Sequence, residues 1–168
     1  MPTRITITGP ESTGKTTLAR QLATQLHGYL ITEYARNYLT PGSRYTLKDV
    51  QTIGHTQHTR IINAPPYYDY HIVDTDALTT LIWAEDKFQT TANQQELWQA
   101  HLPAVYFLCY PDLPWQPDPL REDPTRRDEL YARYEDYLAT VEVPVIVVKG
   151  TGDRRWKTAW EMLQHLLE

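Results

Sequence analysis

Apolar residues recur along the chain in two alternating rhythms. Arg4 to Thr8 sets Ile5 and Ile7 between polar neighbours, the period of two that predicts a short strand. Lys15 to His27 carries Leu18, Leu22 and Leu26 at helical spacing, and Gly28 stands where a helix would stop. Tyr29 to Thr32 predicts a second strand, ending at Glu33. Thr46-Leu47-Lys48-Asp49 has capping-box form and opens a helix to about Asn63, which Pro65-Pro66 closes. His71 to Asp74 is a third strand. Ala77 to Phe88 reads as a helix with Leu78, Leu81 and Ile82 on one side, and a shorter helix covers Gln94 to His101. Ala104 to Tyr110 is almost wholly apolar, as suits a strand covered on both faces. Arg126 to Thr140 is helical with Leu130, Tyr134, Tyr137 and Leu138 inward, and Val143 to Val148 is a fifth strand. Gly150-Thr151-Gly152 then turns into a last helix with Trp156, Trp160 and Leu163 along one stripe and Leu167 after them.

Short apolar strands alternating with helices predict an α/β fold: a five-stranded parallel sheet with helices on both faces, in one domain over residues 1–168. Ligands of such sheets bind beyond the carboxyl ends of the strands. Glu33, Asp74, Tyr110 and Gly150 fall at those ends. Pro111 to Pro124 departs from the rhythm and holds five of the chain's 12 prolines, which predicts a stiff loop acting as a lid over about 111–127. A content of 41% hydrophobic and 22% charged residues suits a packed core. The formal net charge of −5 argues against the nucleic-acid backbone as main partner. Cys109 is the only cysteine, so no internal disulfide is expected, and its place in an apolar strand predicts packing. No apolar run has the length of a membrane span or a signal peptide, so no membrane partner and a cytoplasmic location are expected.

Gly9-Pro10-Glu11-Ser12-Thr13-Gly14-Lys15-Thr16 fits the phosphate-loop pattern GxxxxGK[ST], between a predicted strand and a predicted helix. Its glycines allow a close wrap in which backbone N–H groups face phosphate oxygens, and the helix N-terminus adds its positive end. Gly9, Glu11, Ser12, Thr13, Gly14, Lys15, Thr16 and Thr17 are therefore candidates for binding ATP. Lys15 suits the β- and γ-phosphates, and the Thr16 hydroxyl suits Mg²⁺. Asp74 ends an apolar strand, the position of a carboxylate that holds Mg²⁺; the alternative is a helix-capping role. Asp76 is read either as a contact to a sugar hydroxyl or as the cap of the following helix. Glu33 suits binding or deprotonating a substrate hydroxyl, with Arg36 beside it; a surface ion pair or a helix start is the alternative. In the lid, Arg121 can bring a guanidinium to the γ-phosphate, and Arg126 and Arg127 stand at its exit. Trp115 offers a stacking face for a flat ring or a plug for the core. His55 and His58 lie one helical turn apart without a supporting third ligand, which argues against a metal pair.

With these residues placed, the chain resembles the kinase half of the bifunctional nicotinamide mononucleotide adenylyltransferase/ribosylnicotinamide kinase family, from Ile5 to about Lys149. The motifs that carry the resemblance are the phosphate loop, Glu33-Tyr34-Ala35-Arg36, Gly54-His55, Asp74-Thr75-Asp76 with Thr79-Thr80, and Trp115 with Asp118 and Arg121. The resemblance implies a P-loop kinase fold and transfer of the ATP γ-phosphate to the 5′-hydroxyl of nicotinamide riboside, with ATP and Mg²⁺ as cofactors. It implies Lys15 and Thr16 at the nucleotide and Asp74 near Mg²⁺ or the substrate hydroxyl. Glu33, Arg36 and Asp76 would lie around the riboside, and Arg121 in the lid. The adenylyltransferase reaction and its regulation are not carried over, because the chain starts at the kinase strand. Pro119 stands where relatives have a glycine, which predicts a different lid closure. Two other readings remain open: a kinase of another nucleoside or small hydroxyl compound, and an ATP-hydrolysing or ATP-sensing module acting through a protein partner. An arginine-bearing lid within the same chain favours a self-contained kinase.

Overall fold

The computed structural model describes all 168 residues. Five strands form one parallel sheet in the order β2-β3-β1-β4-β5: β1 (Thr3–Thr8), β2 (Tyr29–Ile31), β3 (Tyr70–Asp74), β4 (Val105–Cys109) and β5 (Val145–Val148). The expected α/β class is thus present, with each strand a residue or two shorter than the apolar run that predicts it, except β1 and β3, which each begin one residue earlier. Helix α1 (Lys15–Gln25) follows β1, and the one-turn helix α2 (Ala35–Tyr38), the helix start left open as an alternative at Glu33 and Arg36, follows β2. Then come α3 (Leu47–Ile62), α4 (Ala77–Phe88), α5 (Gln94–Gln99), α6 (Arg127–Leu138) and α7 (Gly152–Leu167). No helix is long and apolar enough to cross a membrane.

Alternation along the strands sorts side chains between two cores. Ile5, Ile7, Val105, Phe107 and Cys109 point to the side covered by α1 and α7, where they meet Leu18, Leu22, Ala159 and Leu163. Tyr106 and Leu108 point to the other side, against Leu78 and Leu81 of α4 and Leu130, Tyr134 and Leu138 of α6. Each fully buried aliphatic side chain contributes about 2 kcal/mol. On α7 the expected stripe is displaced. Arg155, Ala159 and Leu163 are buried, Trp156 and Trp160 flank them half-buried and stacked on each other, and Leu167 is exposed.

Two local features carry the boundaries. Thr46 and Asp49 form the expected capping box at the start of α3. Helix α1 ends earlier than expected, and the residue that reverses the chain is His27, at φ +48°, rather than Gly28. The Gly28 N–H bonds the Ala23 carbonyl at 2.9 Å and the His27 N–H bonds that of Thr24 at 3.4 Å, a Schellman closure with a histidine in the left-handed position. Gly28 is needed for a different reason: a Cβ there would sit 3.0 Å from the Tyr70 carbonyl oxygen.

Exchanging the chemistry at these neighbours should have opposite signs in urea unfolding. His27→Gly relieves left-handed strain at an exposed position and should raise stability by about 0.5–1 kcal/mol. Gly28→Ala should lower it by about 1–3 kcal/mol through overlap with β3. Changes of the same sign would contradict this account.

Candidate functional site

Strand β1 runs directly into the loop Gly9 to Gly14. Gly9 has φ +133°, and a Cβ on it would lie 2.7 Å from the Cys109 carbonyl oxygen, so the close approach of β4 demands glycine. Ser12 (φ +55°) and Gly14 (φ +78°) complete the wrap. Gly14 caps α1 with no side-chain bond, and no acid stands in the first turn. From Glu11 to Thr17 no backbone N–H finds an acceptor within the chain. A concave run of free N–H groups at a helix N-terminus is an anion site.

Around this cradle stand the charged groups. The Thr16 hydroxyl donates to Asp74 Oδ2 at 2.7 Å. Asp74 is 2% exposed and its Oδ1 has no partner. A buried oxyanion with an open lone-pair side beside a threonine hydroxyl suits a hard cation that shares its shell with phosphate and water. No cluster of three or more His, Cys, Asp or Glu side chains offers an all-protein alternative. Lys15 Nζ donates to the Pro10 carbonyl at 2.7 Å, inside the loop. Glu33 is partly buried, and burial pushes its carboxyl above the usual glutamate range. Lys15 pulls it down and Asp74 pushes it further up. Arg36 spans 2.8 Å to Asp118 of the lid and 3.6 Å to Glu33.

The segment between β4 and α6 has no regular structure and folds back over the loop. Glu11 Oε2 accepts the N–H groups of Glu122 and Asp123 at 3.0 and 3.2 Å. The Ser12 hydroxyl accepts from the Gln116 N–H at 2.9 Å. Arg121 donates to the Gln116 carbonyl at 2.5 Å and reaches Ser12 Oγ at 3.4 Å. Lid and phosphate loop are therefore tied together through the side chains at the loop's second and third variable positions.

Beneath the lid lies a cleft of about 390 Å³. Gly9 to Thr17, Glu33, Arg36 and Arg121 all line it. Asp74 faces the same region through Thr16. Asp74 itself is not in the lining, and Asp76, Trp115, Arg126 and Arg127 lie outside it as well. Asp76 accepts from the Leu78 N–H at 3.0 Å and from the Tyr106 hydroxyl at 2.5 Å, so in this structure it caps α4 and anchors a buried Tyr106–Trp98 pair. The reason is Thr75, a β-branched residue at φ +69°, which turns the chain under while Gln57 and Ile7 hold its backbone. Trp115 is half-buried beneath the Arg127 guanidinium, 5.7 Å from its ring centre, and neither enters the cleft nor plugs the core. Arg126 is committed to Asp86, Asp123 and Glu129, and Arg127 donates to the Ser12 and Leu113 carbonyls.

Of the far wall, sequence reasoning named Thr79 and Ile82 but missed Tyr45, Trp83, Asp86 and Lys87. Thr79, Ile82, Trp83, Asp86 and Lys87 of α4 face the cleft at one helical spacing, and Tyr45 meets Trp83 edge-on at 4.9 Å. The signal was present: a stripe of mixed polar and aromatic residues adjoining the apolar stripe of the same helix. Gly54 in the Gly54-His55 pair is explained by packing, since a Cβ there would fall 1.9 Å from Gln94 Oε1.

A family model described as AAA domain matches residues 4–155. Among solved structures, NadR in complex with NAD and AMP-PNP superposes with a TM-score of 0.80 at 22% identity, covering 98% of this chain and 49% of that one. NadR in complex with NR gives 0.78 at 22% identity, covering 98% and 50%. Thymidylate kinase from Ehrlichia chaffeensis gives 0.73 at 15% identity, covering 99% and 98%. The chain spans about half the length of the NadR chains. No curated protein sequence matches it. The fold is that of the P-loop kinases, in line with the resemblance its motifs carry.

If Glu11 holds the lid, Glu11→Ala should reduce hydrogen-exchange protection of the Glu122 and Asp123 amides by about tenfold, the equivalent of one charge-assisted bond, and leave the sheet unchanged. Unaltered protection would show that the lid is held by other contacts.

Proposed function

The chain belongs to the AAA domain family, and from that premise we propose that it is an ATP-dependent kinase that phosphorylates the 5′-hydroxyl of a riboside, nicotinamide riboside being the best-supported acceptor. The observation that carries this reading is the sharing of one cleft by the free N–H cradle and the partly buried Glu33. A hydrolase needs room for water alone. This cleft has an aromatic wall, Tyr45 and Trp83, suited to a flat ring beyond the phosphate end. NadR bound to NR is among the folds most like this one, which supports the choice of acceptor.

The triphosphate would lie on the N–H groups of Glu11 to Thr17, with Lys15 exchanging the Pro10 carbonyl for a phosphate oxygen. Thr16 and Asp74 would hold Mg²⁺, which supplies charge neutralisation across the β- and γ-phosphates. Glu33 orients the riboside hydroxyl and accepts its proton as the oxygen bonds the γ-phosphorus. The bond from that phosphorus to the β,γ-bridging oxygen breaks, and ADP leaves. Arg121, in the lid, faces the charge that develops on the transferred group. Family membership gives the alternative, ATP hydrolysis coupled to a protein partner, its own support, and one assay separates the two.

Incubation with Mg-ATP and a panel of ribosides, read by mass, should yield nicotinamide mononucleotide. Loss of ATP without any phosphorylated riboside would overturn the kinase reading. Lys15→Ala should slow turnover by about a hundredfold or more, and Asp74→Asn comparably, with the variants still folded by circular dichroism.

The pH profile tests Glu33. It acts ionised, so kcat/KM should fall as pH drops through its pKa. Burial raises that pKa, which puts the acid limb above the ordinary glutamate range. Arg36 opposes the rise, so Arg36→Met should move the limb to still higher pH. An acid limb at the ordinary glutamate position would remove Glu33 from the proton transfer.

A further inference from the structure

Arg155 lies on α7, far along the chain from the phosphate loop, and is 7% exposed. A buried guanidinium is costly unless its donors are met. Here Nη2 donates to the Thr13 carbonyl at 2.8 Å and the Tyr110 carbonyl at 3.3 Å. Nη1 donates to Asp112 Oδ1 at 2.7 Å and the Gly150 carbonyl at 2.9 Å. Asp112 Oδ2 in turn accepts the Gly150 N–H at 2.6 Å. One side chain thus ties the phosphate loop to the turns that leave β4 and β5. Its Nε has no partner and faces Gly14, 3.9 Å from where a Cβ would stand.

The contact to Thr13 has a directional consequence. In a trans peptide the C=O of one residue and the N–H of the next point opposite ways, and the chain has no cis bond. Arg155 does not line the cleft, whereas Thr13 and Gly14 do. Drawing the Thr13 carbonyl away from the cleft therefore turns the Gly14 N–H into it. Arg127 holds the preceding carbonyl, that of Ser12, at 2.9 Å.

We propose that Arg155 is a positioning residue for the phosphate loop: by holding the Thr13 carbonyl it aims the Gly14 N–H at the nucleotide's phosphates, and through Asp112 and Gly150 it sets that aim by the ends of β4 and β5. The inference rests on the nucleotide-binding reading above. A role confined to docking α7 on the sheet would affect stability and all ligands alike.

Arg155→Lys keeps the charge but cannot span Thr13 and Asp112 at once. Two measurements decide. In the free protein, nitrogen-15 spectra should show the Thr13 and Gly14 amide resonances displaced, with the sheet amides in place. By calorimetry, Mg-ATP should bind about tenfold or more weakly while the riboside stays within about twofold, the loss of one charged contact on the phosphate side alone. Asp112→Asn, at a partly exposed partner, should move both readouts the same way by a smaller amount, and it decides the matter if the lysine variant does not fold. Undisturbed Thr13 and Gly14 amides, or parallel losses for both ligands, would overturn the proposal. If the wild type takes up no Mg-ATP, the kinase reading fails, and the amide measurement alone still judges Arg155.

Discussion

The site depends on the approach of two neighbouring strand ends. β1 lies at the centre of the sheet, and its next residue passes so close to the Cys109 carbonyl that only glycine fits. That contact fixes where the loop departs, and the parallel register with β3 sets Ile7 level with Asp74. The Thr16 hydroxyl reaches Asp74 because α1 starts from a loop anchored on one strand while the carboxylate ends the next. Apolar burial on both faces of the sheet keeps these ends in place, so the geometry at the mouth is supported by residues that never touch it.

Charge is distributed against the chain's overall balance. A chain of net charge −5 builds an anion cradle mainly from backbone dipoles. Of its cleft cations, Lys15 and Arg121 meet only carbonyl and hydroxyl oxygens, while Arg36 and Lys87 are paired with acids. Arg36 faces Asp118, and Lys87 faces Asp123 and Glu122. The lid's acids stand against Arg36 and Lys87, so a polyanion drawn to those two would compete with ion pairs already formed. Partly buried acids in the same region, Glu11 and Glu33, are shifted upward because burial outweighs the backbone N–H bonds to Glu11 and the cations near both.

Much of this was legible beforehand. Strand and helix periods gave the sheet, and the glycine spacing gave the loop, because both follow from local geometry. The α2 turn was legible only as an alternative reading of Glu33 and Arg36, because four residues carry no period. Asp76 was legible only as a choice between sugar contact and cap, since the outcome turns on Thr75 adopting a left-handed conformation that a threonine does not advertise. Trp83 and Tyr45 went unread, as aromatic residues serve a core and a binding wall equally well. Arg155 was invisible because three of its partners are carbonyl oxygens, which every residue has, and nothing in sequence links it to Asp112, its one acidic partner.

The fastening of the lid to Glu11 and Ser12 has a consequence for how such a chain can change. The cover is not an exchangeable module. A lid transplanted from another protein of this fold would arrive without a matching acceptor in the loop, and a loop rewritten for a different ligand would release its own cover. Altering what this scaffold admits therefore requires the two segments to be rewritten as one unit, although about a hundred residues separate them.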